Sequence, residues 1–337
     1  MPNNSHSLLF SIIVPVYNRP AEIDELLSSL SQQSDKGFET IIVEDGSTVK
    51  CENECEVYKD KANVKYFYKN NEGRSIARNY GMERAGGDYF VFVDSDCILP
   101  PDYINKLRKS LEENPADCFG GPDAAHESFT DVQKAINFAM TSFVTTGGIR
   151  GGKVSLEKFT PRTFNMGFAR QVYEKTGGFR EMFSEDIDMS TRIRLNGFSI
   201  RLFPEVFVYH KRRVDLKKFW RQVHVFGMSR ITLKLLYPGS LKAVHVLPAL
   251  FTLAAIGMII GAFFWPWLLI PLAVYLILVW IWGICSTKSL KTGTLGVPAA
   301  MVQLTGYGTG FIRAYFWKII LGHGRDIDDE IERRRGK

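Results

Sequence analysis

Short apolar runs alternate with helix-like segments over the first 120 residues of the chain. Four runs are rich in β-branched or aromatic residues and end at turn-forming residues, which predicts strands at residues 8–16, 39–43, 64–68 and 89–93. Apolar residues at helical spacing predict helices at residues 21–33 and 75–85. Strands that alternate with helices predict an α/β domain with a mostly parallel central sheet, covered on both faces.

The pattern loosens between residues 124 and 162, where the glycine pairs of residues 147–152 predict a loop. Order returns with an extended segment at residues 164–170 and a short helix at 171–176. A second helix is predicted at residues 187–196, because Gly197 follows it in the position of a C-terminal cap. A last strand, or a pair of strands, is predicted at residues 199–210.

The last third of the chain has a different pattern. Residues 215–236 are basic and aromatic with helical spacing, which favours an amphipathic helix in a membrane interface; the alternative is an ordinary helix packed on the globular domain. Residues 243–287 contain no Asp, Glu, Lys or Arg, and one bilayer crossing needs about 20 apolar residues. We therefore predict a helical hairpin of residues 244–264 and 267–285, turned at Trp265, Pro266 and Trp267.

A third uncharged stretch, residues 292–312, is rich in Gly, Thr and Gln. It either lies in the membrane interface, forms a re-entrant segment or spans the membrane. The predicted order is a cytosolic α/β domain at 1–212, a basic interface segment at 213–243 and a transmembrane hairpin at 244–285. The third apolar segment and a charged cytosolic tail follow at 286–337.

Charge supports this order. The net charge is −6 over residues 1–210, +8 over residues 211–242 and +4 after residue 242. Because the basic excess brackets the apolar stretch, it indicates a cytoplasmic membrane face and not a nucleic-acid surface. The first ten residues lack the pattern of a signal peptide, so we expect an inner-membrane, multi-pass protein whose large N-terminal domain faces the cytoplasm. The five cysteines lack zinc-site spacing, and the sequence indicates nothing about the oligomeric state.

Polar clusters follow three of the predicted strands. They contain Asn18, Asp45, and Asp94 with Asp96, and ligands of open α/β sheets bind at the carboxyl ends of strands. Two carboxylates two residues apart can reach one hard cation, and Mg²⁺ or Mn²⁺ prefers such oxygen ligands. A turn that caps a helix is the alternative interpretation of Asp94-Ser95-Asp96.

A set of motifs in one order resembles the family-2 glycosyltransferases of the GT-A fold. The motifs are Val14–Arg19 (VPVYNR), Val43–Ser47 (VEDGS), Asn71-Glu72-Gly73 with Ala77–Gly81 (ARNYG), Asp94-Ser95-Asp96, Asn165-Met166-Gly167, Gly177-Gly178-Phe179 and Glu185-Asp186. The resemblance covers about residues 8–212. The later helices resemble the membrane anchors of many bacterial members.

The resemblance implies a donor site and a metal site. Donor-binding positions would be Pro15, Val16, Tyr17, Asn18, Glu44, Asp45, Arg74, Arg78, Asp94, Ser95, Asn165 and Arg221. Glu44 stands where many members have Asp. Asp96, Asp94 and His210 would hold Mg²⁺ or Mn²⁺. For Arg74 and Arg78 a surface salt bridge is the alternative, for His210 a structural role, and for Arg221 a contact with membrane phosphate.

The resemblance also implies the reaction. Asp186 would be the general base and Glu185 would orient an acceptor hydroxyl, although carboxylates also favour helix N-termini. We expect inverting transfer from a UDP- or GDP-linked sugar to a hydroxyl of a lipid-linked or membrane-proximal glycan. The alternatives are transfer to polyprenyl phosphate, nucleotidyl transfer, and a non-catalytic membrane scaffold. A processive synthase is disfavoured, because the chain has no Gln-x-x-Arg-Trp motif.

Overall fold

The computed structural model describes residues 8–124, 129–146, 159–210 and 215–324. The described residues form two units. The first contains residues 8–124 and 159–210, and the second contains residues 129–146 and 215–324. Residues 129–146 were expected in the catalytic domain at 1–212, but they pack with the C-terminal helices instead. The predicted loop at 147–152 and the tail beyond residue 324 lie outside the described residues.

The first unit holds all the described strands. In chain order they are β1 (Phe10–Val16), β2 (Phe38–Asp45), β3 (Val64–Lys69), β4 (Tyr89–Phe92), β5 (Cys97–Ile98), β6 (Cys118–Gly120), β7 (Asp123–Ala124), β8 (Met166–Ala169), β9 (Ile200–Leu202) and β10 (Val208–His210). The four strands predicted in the first 120 residues are present, each within two residues of its expected ends.

Helices occur in both units. In chain order they are α1 (Pro20–Ser31), α2 (Glu52–Val57), α3 (Arg74–Arg84), α4 (Tyr103–Glu113), α5 (Asp131–Thr141), α6 (Phe143–Thr146), α7 (Arg170–Thr176), α8 (Glu185–Leu195), α9 (Leu216–Leu236), α10 (Ala243–Gly261), α11 (Ile270–Thr287) and α12 (Leu290–Ala314). A 3₁₀ turn at Pro266–Leu269 precedes α11, and a π-helical turn at Tyr315–Ile320 follows α12. Helices α2, α4, α5 and α6 were not predicted.

The main sheet has seven strands in the order β3-β2-β1-β4-β8-β6-β9. β3, β2, β1 and β4 pair in parallel, and β8 is antiparallel to both of its neighbours. Three short strands form a second sheet in the order β5-β10-β7. The predicted α/β class with a mostly parallel sheet is therefore confirmed, and the predicted pair of strands at 199–210 contributes one strand to each sheet.

Alternation along the central strands places apolar side chains on both faces of the main sheet. Ile12 and Val14 of β1 belong to one buried cluster, which also contains apolar residues of α1 and α4. Ile13 of β1 belongs to the other cluster, with apolar residues of α3, α7 and α8. This double covering buries the sheet, and Asn18, Asp45 and Asp94 stand where β1, β2 and β4 end.

Helix α12 is the centre of the second unit, because α5, α9, α10 and α11 all pack against it. The third apolar stretch thus forms a regular helix of 25 residues. Helix α9 is also confirmed as a helix, and it buries Phe219 and Val223 in a cluster with Ala299 of α12. Ala243–Gly261 and Pro266–Thr287 are long and apolar enough to cross a membrane, by length and composition alone.

Candidate active site

Asn18 joins the end of β1 to the loop that follows β2. Its backbone has a positive φ of 53°, a conformation that Asn adopts more readily than most residues. Its side-chain oxygen accepts hydrogen bonds from the N–H groups of Thr48 (2.8 Å) and Val49 (2.9 Å), and its own N–H donates to Ser47 Oγ. Asn18 therefore holds two strand-end loops together at the edge of the sheet.

Asp45 fixes a third loop at the same edge. Its carboxylate accepts hydrogen bonds from the N–H groups of Glu72 (3.0 Å) and Gly73 (2.9 Å), and it pairs with Lys69 Nζ at 2.9 Å. Gly73 has a φ of 104°, and a Cβ at this position would collide with the carboxylate of Glu181. Asp45 is almost fully buried, so in the structure it shapes the wall of the site.

Glu44 lacks the exposure that its predicted role in donor binding requires. Because neighbouring residues of a strand point to opposite faces, its side chain lies on the other face from Asp45. It is fully buried and accepts hydrogen bonds from Cys51 N–H (2.9 Å) and Tyr66 O–H (2.8 Å). Burial raises the pKa of the Tyr66 hydroxyl, and the hydrogen bond to Glu44 raises it further. The contacts of Glu44 are those of a structural residue beneath the site.

Four other predicted donor-binding residues, at the ends of β1 and β4, differ in how far their side chains are exposed. Tyr17 is half exposed, Pro15 is half-buried, and Val16 is buried. Ser95, which follows β4, is also buried. Of these four predicted donor positions, Tyr17 presents the most side-chain surface to a ligand.

Asp94 and Asp96 follow β4, and each pairs with a different arginine. Arg78 Nη2 lies 2.9 Å from Asp94 Oδ1, and Arg19 Nη1 lies 2.8 Å from Asp96 Oδ2. His210 Nε2 lies 3.2 Å from the other oxygen of Asp96. Burial by itself raises the pKa of Asp96, but His210 and Arg19 outweigh it and hold the pKa well below its ordinary value. Asp96 is therefore ionised at neutral pH.

The predicted divalent cation fits the donor atoms at this point. Ligand atoms of Asp96, Cys97 and His210 all lie within 4.8 Å of one another. His210 Nδ1 is buried and has no hydrogen-bond partner among the described residues. Burial raises the pKa of the Cys97 thiol well above its ordinary value, which leaves it a poor ligand for a hard cation. The carboxylate of Asp96 and the imidazole of His210 would be the donors, with Asp94 two residues away.

Glu185 and Asp186 are the first two residues of α8, which begins two residues before the start predicted at residue 187. Ser184 before them has a positive φ of 66°, which is uncommon outside glycine and is often found at functional sites. Asp186 Oδ2 lies 3.2 Å from Arg162 Nη1, and Asp186 Oδ1 accepts from the N–H of Ile187 at 2.8 Å. Burial favours the neutral acid, but Arg162 and this N–H lower the pKa of Asp186 below its ordinary value.

Glu185 does not have the exposure that its predicted contact with an acceptor hydroxyl requires. It is 2% exposed, and its two oxygens pair with Arg74 Nη2 (2.9 Å) and Arg78 Nη1 (3.0 Å). Arg78 in turn reaches Asp94, so one guanidinium links the start of α8 to the end of β4. Arg78 is 1% exposed, and this differs from its predicted contact with a base or diphosphate. Arg74 is about half exposed and keeps surface for a ligand.

Asn165 is another predicted donor-binding residue that the structure places below the surface. It is fully buried, its amide nitrogen donates to Val206 O at 2.7 Å, and its amide oxygen accepts from Tyr103 O–H at 2.7 Å. These bonds connect the residue before β8 to α4 and to the loop between β9 and β10. Arg221 lies on α9 of the second unit and is exposed, so its predicted donor contact stays a prediction.

Three further residues of the site were not predicted. Arg19 stands inside a motif of the sequence but was not expected to pair with Asp96. Arg162 pairs with Asp186 from a segment that lacks a regular pattern, and no sequence signal marks it. Glu181 accepts from the N–H of Ser75 at the start of α3, and burial raises its pKa. Each is a long-range partner, 77, 24 or 106 residues from the group it contacts.

Comparison with known proteins gives one family. Residues 11–177 match the family described as Glycosyl transferase family 2. An uncharacterized glycosyltransferase of Rickettsia felis is 39% identical over 109 residues, which is 32% of this chain and 18% of the relative. One of Haemophilus influenzae is 36% identical over 145 residues, 38% of this chain and 44% of the relative. The matches thus span less than half of either relative.

A solved structure resembles the fold of this chain over most of its length. The mannosyltransferase PcManGT from Pyrobaculum calidifontis covers 94% of this chain with 90% of its own, at a TM-score of 0.58 and 16% identity. At this identity the likeness shows the fold alone, which is GT-A-like.

Proposed function

Because the chain belongs to glycosyl transferase family 2, we propose that it transfers a sugar from a nucleoside diphosphate sugar to an acceptor hydroxyl with inversion. One observation carries the proposal: the buried guanidinium of Arg78 connects Asp94, on the donor side, to Glu185, next to the general base Asp186. A single rigid connection therefore fixes the two carboxylate clusters that the transfer needs, and such fixed geometry lowers the barrier of a two-substrate reaction.

The donor is a UDP- or GDP-linked sugar. Support comes from the sheet edge, where Asn18, Asp45 and Asp94 follow three parallel strands, the usual ligand position in open α/β sheets. The structurally similar PcManGT was solved with GDP-Man and Mn²⁺. The half-exposed side chains of Tyr17 and Arg74 are the groups best placed to contact the nucleotide and diphosphate.

Asp96 and His210, with Asp94, would hold Mg²⁺ or Mn²⁺. The bound ion would supply positive charge to the leaving diphosphate, so no protein acid is needed. Arg19 keeps Asp96 ionised and oriented. The buried Nδ1 of His210 lies 3.9 Å from Asp123 Oδ2, which is too far for a hydrogen bond.

Asp186 accepts the proton of the attacking hydroxyl. It is ionised at neutral pH, as a base must be, and its ion pair with Arg162 holds it in place. Glu185 acts as a positioning residue, since both of its oxygens are bound by arginines. The acceptor hydroxyl then attacks the anomeric carbon from the side opposite the diphosphate, which leaves with the electron pair of the broken bond.

The acceptor is a lipid-linked or membrane-proximal glycan at the inner face of the cytoplasmic membrane. The apolar helices α10 and α11 support this, because a membrane anchor would hold the site near such an acceptor. Transfer to polyprenyl phosphate is the alternative, and Arg221 with the basic residues 211–242 would contact that phosphate. A non-catalytic scaffold is disfavoured, because Asp45, Asp94, Asp96 and Asp186 are all present.

The test is a screen of nucleotide sugars with the full chain in lipid nanodiscs, in which release of nucleoside diphosphate is measured. We expect release with one UDP- or GDP-linked sugar and Mn²⁺, and a loss of about 10²–10⁴-fold in Asp186→Asn, because a general base contributes that much. Asp96→Ala is expected to lose metal-dependent transfer. The matched control is Asp60→Asn, which changes an exposed carboxylate of the first unit.

The outcomes separate the alternatives. A sugar attached to a lipid phosphate in the product would favour the polyprenyl-phosphate reaction, and release of pyrophosphate would favour nucleotidyl transfer. Full activity of Asp186→Asn would contradict the assigned base. No binding of UDP or GDP, measured by calorimetry with Mn²⁺, would favour the scaffold.

A further inference from the structure

Helix α12 contacts both arms of the α10–α11 hairpin near one end, called here the basal end, which holds Ala243 and Thr287. On α11, Gly283 packs against Gly293, and Trp280 Nε1 donates to Thr294 Oγ1 at 3.1 Å. On α10, Gly308 has no room for a Cβ beside Pro248 and Thr252. Helix α12 therefore passes from one arm of the hairpin to the other.

The positions of these contacts show that α12 crosses the hairpin and does not run along it. An α-helix rises about 1.5 Å per residue, so Thr294 and Gly308 are about 21 Å apart along α12. The same rise places all four hairpin partners (Pro248, Thr252, Trp280, Gly283) about 6–14 Å from the basal end. Over about 21 Å of its length α12 therefore changes its depth along the hairpin by only a few ångströms.

Charged groups surround this crossing. Lys291 at the start of α12 pairs with Asp131 of α5 at 2.8 Å, and both side chains are exposed. Helix α9 packs on α12, where Gly310 lies against the backbone of His224 and Gly306 against Trp220. Helix α9 carries five basic residues, namely Lys217, Lys218, Arg221, Arg230 and Lys234. Such charges avoid hydrocarbon and favour the headgroup level of an anionic membrane.

The other end of the hairpin is apolar and uncovered. Many apolar side chains between Leu253 and Leu278 are about half exposed or more, and Phe263 reaches 86%. Trp265 and Trp267 stand at the turn, and no Asp, Glu, Lys or Arg occurs in residues 243–287. The hairpin thus has charged residues of neighbouring helices near its basal end and exposed apolar side chains at its other end, the apex. This is the distribution of a segment inserted apex-first into a lipid bilayer.

We propose that α12 lies at headgroup level, packed across the basal end of the inserted hairpin, and does not cross the membrane. The partner of this surface is an anionic lipid bilayer. The tail beyond residue 324, with Arg333, Arg334 and Arg335, then stays on the same side as residues 1–242. The proposal rests on the membrane anchoring assumed in the proposed function and chooses between the interfacial and spanning alternatives for this segment.

The test uses full-length chains that carry a reporter after Lys337: either green fluorescent protein, which fluoresces when it folds in the cytosol, or alkaline phosphatase, which is active after export. The same reporters before Met1 serve as the reference for the side of residues 1–242. We expect the two fusion sites to give the same fluorescence and phosphatase readouts. Phosphatase activity at the tail together with fluorescence at the N-terminus would overturn the proposal.

A depth measurement gives a second, independent test. Chains that keep only Trp220 or only Trp265, with the other tryptophans changed to Phe, are placed in bilayers with bromine near the headgroups or near the bilayer centre. We expect shallow bromine to quench Trp220, which packs on Gly306 of α12, at least twofold more than deep bromine does. The reverse preference would overturn the proposal. Neither readout needs sugar transfer, so a failed donor screen would contradict the proposed function and leave this result standing.

Discussion

At the scale of single residues, the pairing of Asp186 with Arg162 sets the pH range in which the proposed base works. Burial favours the neutral acid of Asp186, and the charge of Arg162 is the main opposing influence. Removing that charge leaves burial dominant, so the pKa of Asp186 rises. A base must be ionised to accept a proton, and its activity is therefore lost as the pH falls through its pKa.

We predict that Arg162→Ala moves the acid limb of the kcat profile to higher pH. The measurement is nucleoside diphosphate release between about pH 4 and 8, with Arg201→Ala, an exposed arginine of the first unit, as the control. An acid limb that coincides with that of the unaltered chain would show that Arg162 does not control the ionisation of Asp186.

Arg78 is predicted to act through geometry and not through its charge alone. Arg78→Lys keeps the charge but lacks the planar fork that reaches Asp94 and Glu185 together. We expect kcat to fall by about 10²-fold with a smaller change in KM, as expected when reacting groups are displaced by about 1 Å. Arg84→Lys, on the same helix but outside the site, should keep its activity.

The loss of the whole side chain should affect stability as well. Arg78→Met removes one of the two arginines that pair with the buried carboxylate of Glu185, and breaking a buried ion pair costs about 3–5 kcal/mol. Since Glu185 keeps Arg74, we expect the lower end of this range, measured as a reduced thermal unfolding temperature of the full chain. A variant as stable as the unaltered chain would contradict a stabilising role for this connection.

The sequence identified the carboxylates of the site better than it identified their environments. Asp45, Asp94, Asp96 and Asp186 stand at strand or helix ends, which local patterns mark. Burial is set by distant partners, and for that reason the buried contacts of Asn165, Glu44 and Glu185 could not be derived from neighbouring residues.

At the scale of elements, period and composition predicted the strands and helices that have a strong local signal. Helix α4 was missed although Tyr103, Ile104, Leu107 and Leu111 form a buried stripe at helical spacing. Helix α12 is a different case, because Gly and Thr are poor helix formers. Its glycines sit where neighbouring helices approach closely, so tertiary packing outweighs intrinsic propensity there.

We predict that Gly310→Ala destabilises the second unit. An added Cβ would lie 2.0 Å from the carbonyl oxygen of His224 on α9, and backbone cannot move aside cheaply. Overpacking of this kind costs about 1–3 kcal/mol. Gly257→Ala on α10 is the matched control, since nothing lies within 4 Å of its Cβ position and Ala favours the helix. In detergent, the midpoint temperature of thermal unfolding should fall for Gly310→Ala and not for Gly257→Ala.

At the scale of the whole molecule, the two units are interleaved along the chain. The second unit takes α5 and α6 from between β7 and β8 of the first unit, and the rest from the C-terminal third. Hydrophobic patterning gave no sign of this, because an amphipathic helix does not reveal which surface covers it. The sequence-based boundary at residue 212 therefore divides α5 from the helices that bury it.

Truncation at that boundary should consequently do more than detach a membrane anchor. In a chain that ends at Arg213, Ile136 and Met140 of α5, now at most 3% exposed, would lose the cover of α9 and α12. Exposed apolar patches of this kind promote association. We predict that this chain aggregates, and that Ile136→Glu with Met140→Lys restores a monomer, as measured by size-exclusion chromatography with light scattering. A chain that ends at Arg213 and is monomeric without these changes would show that α5 finds other cover, and that the first unit is independent of the second.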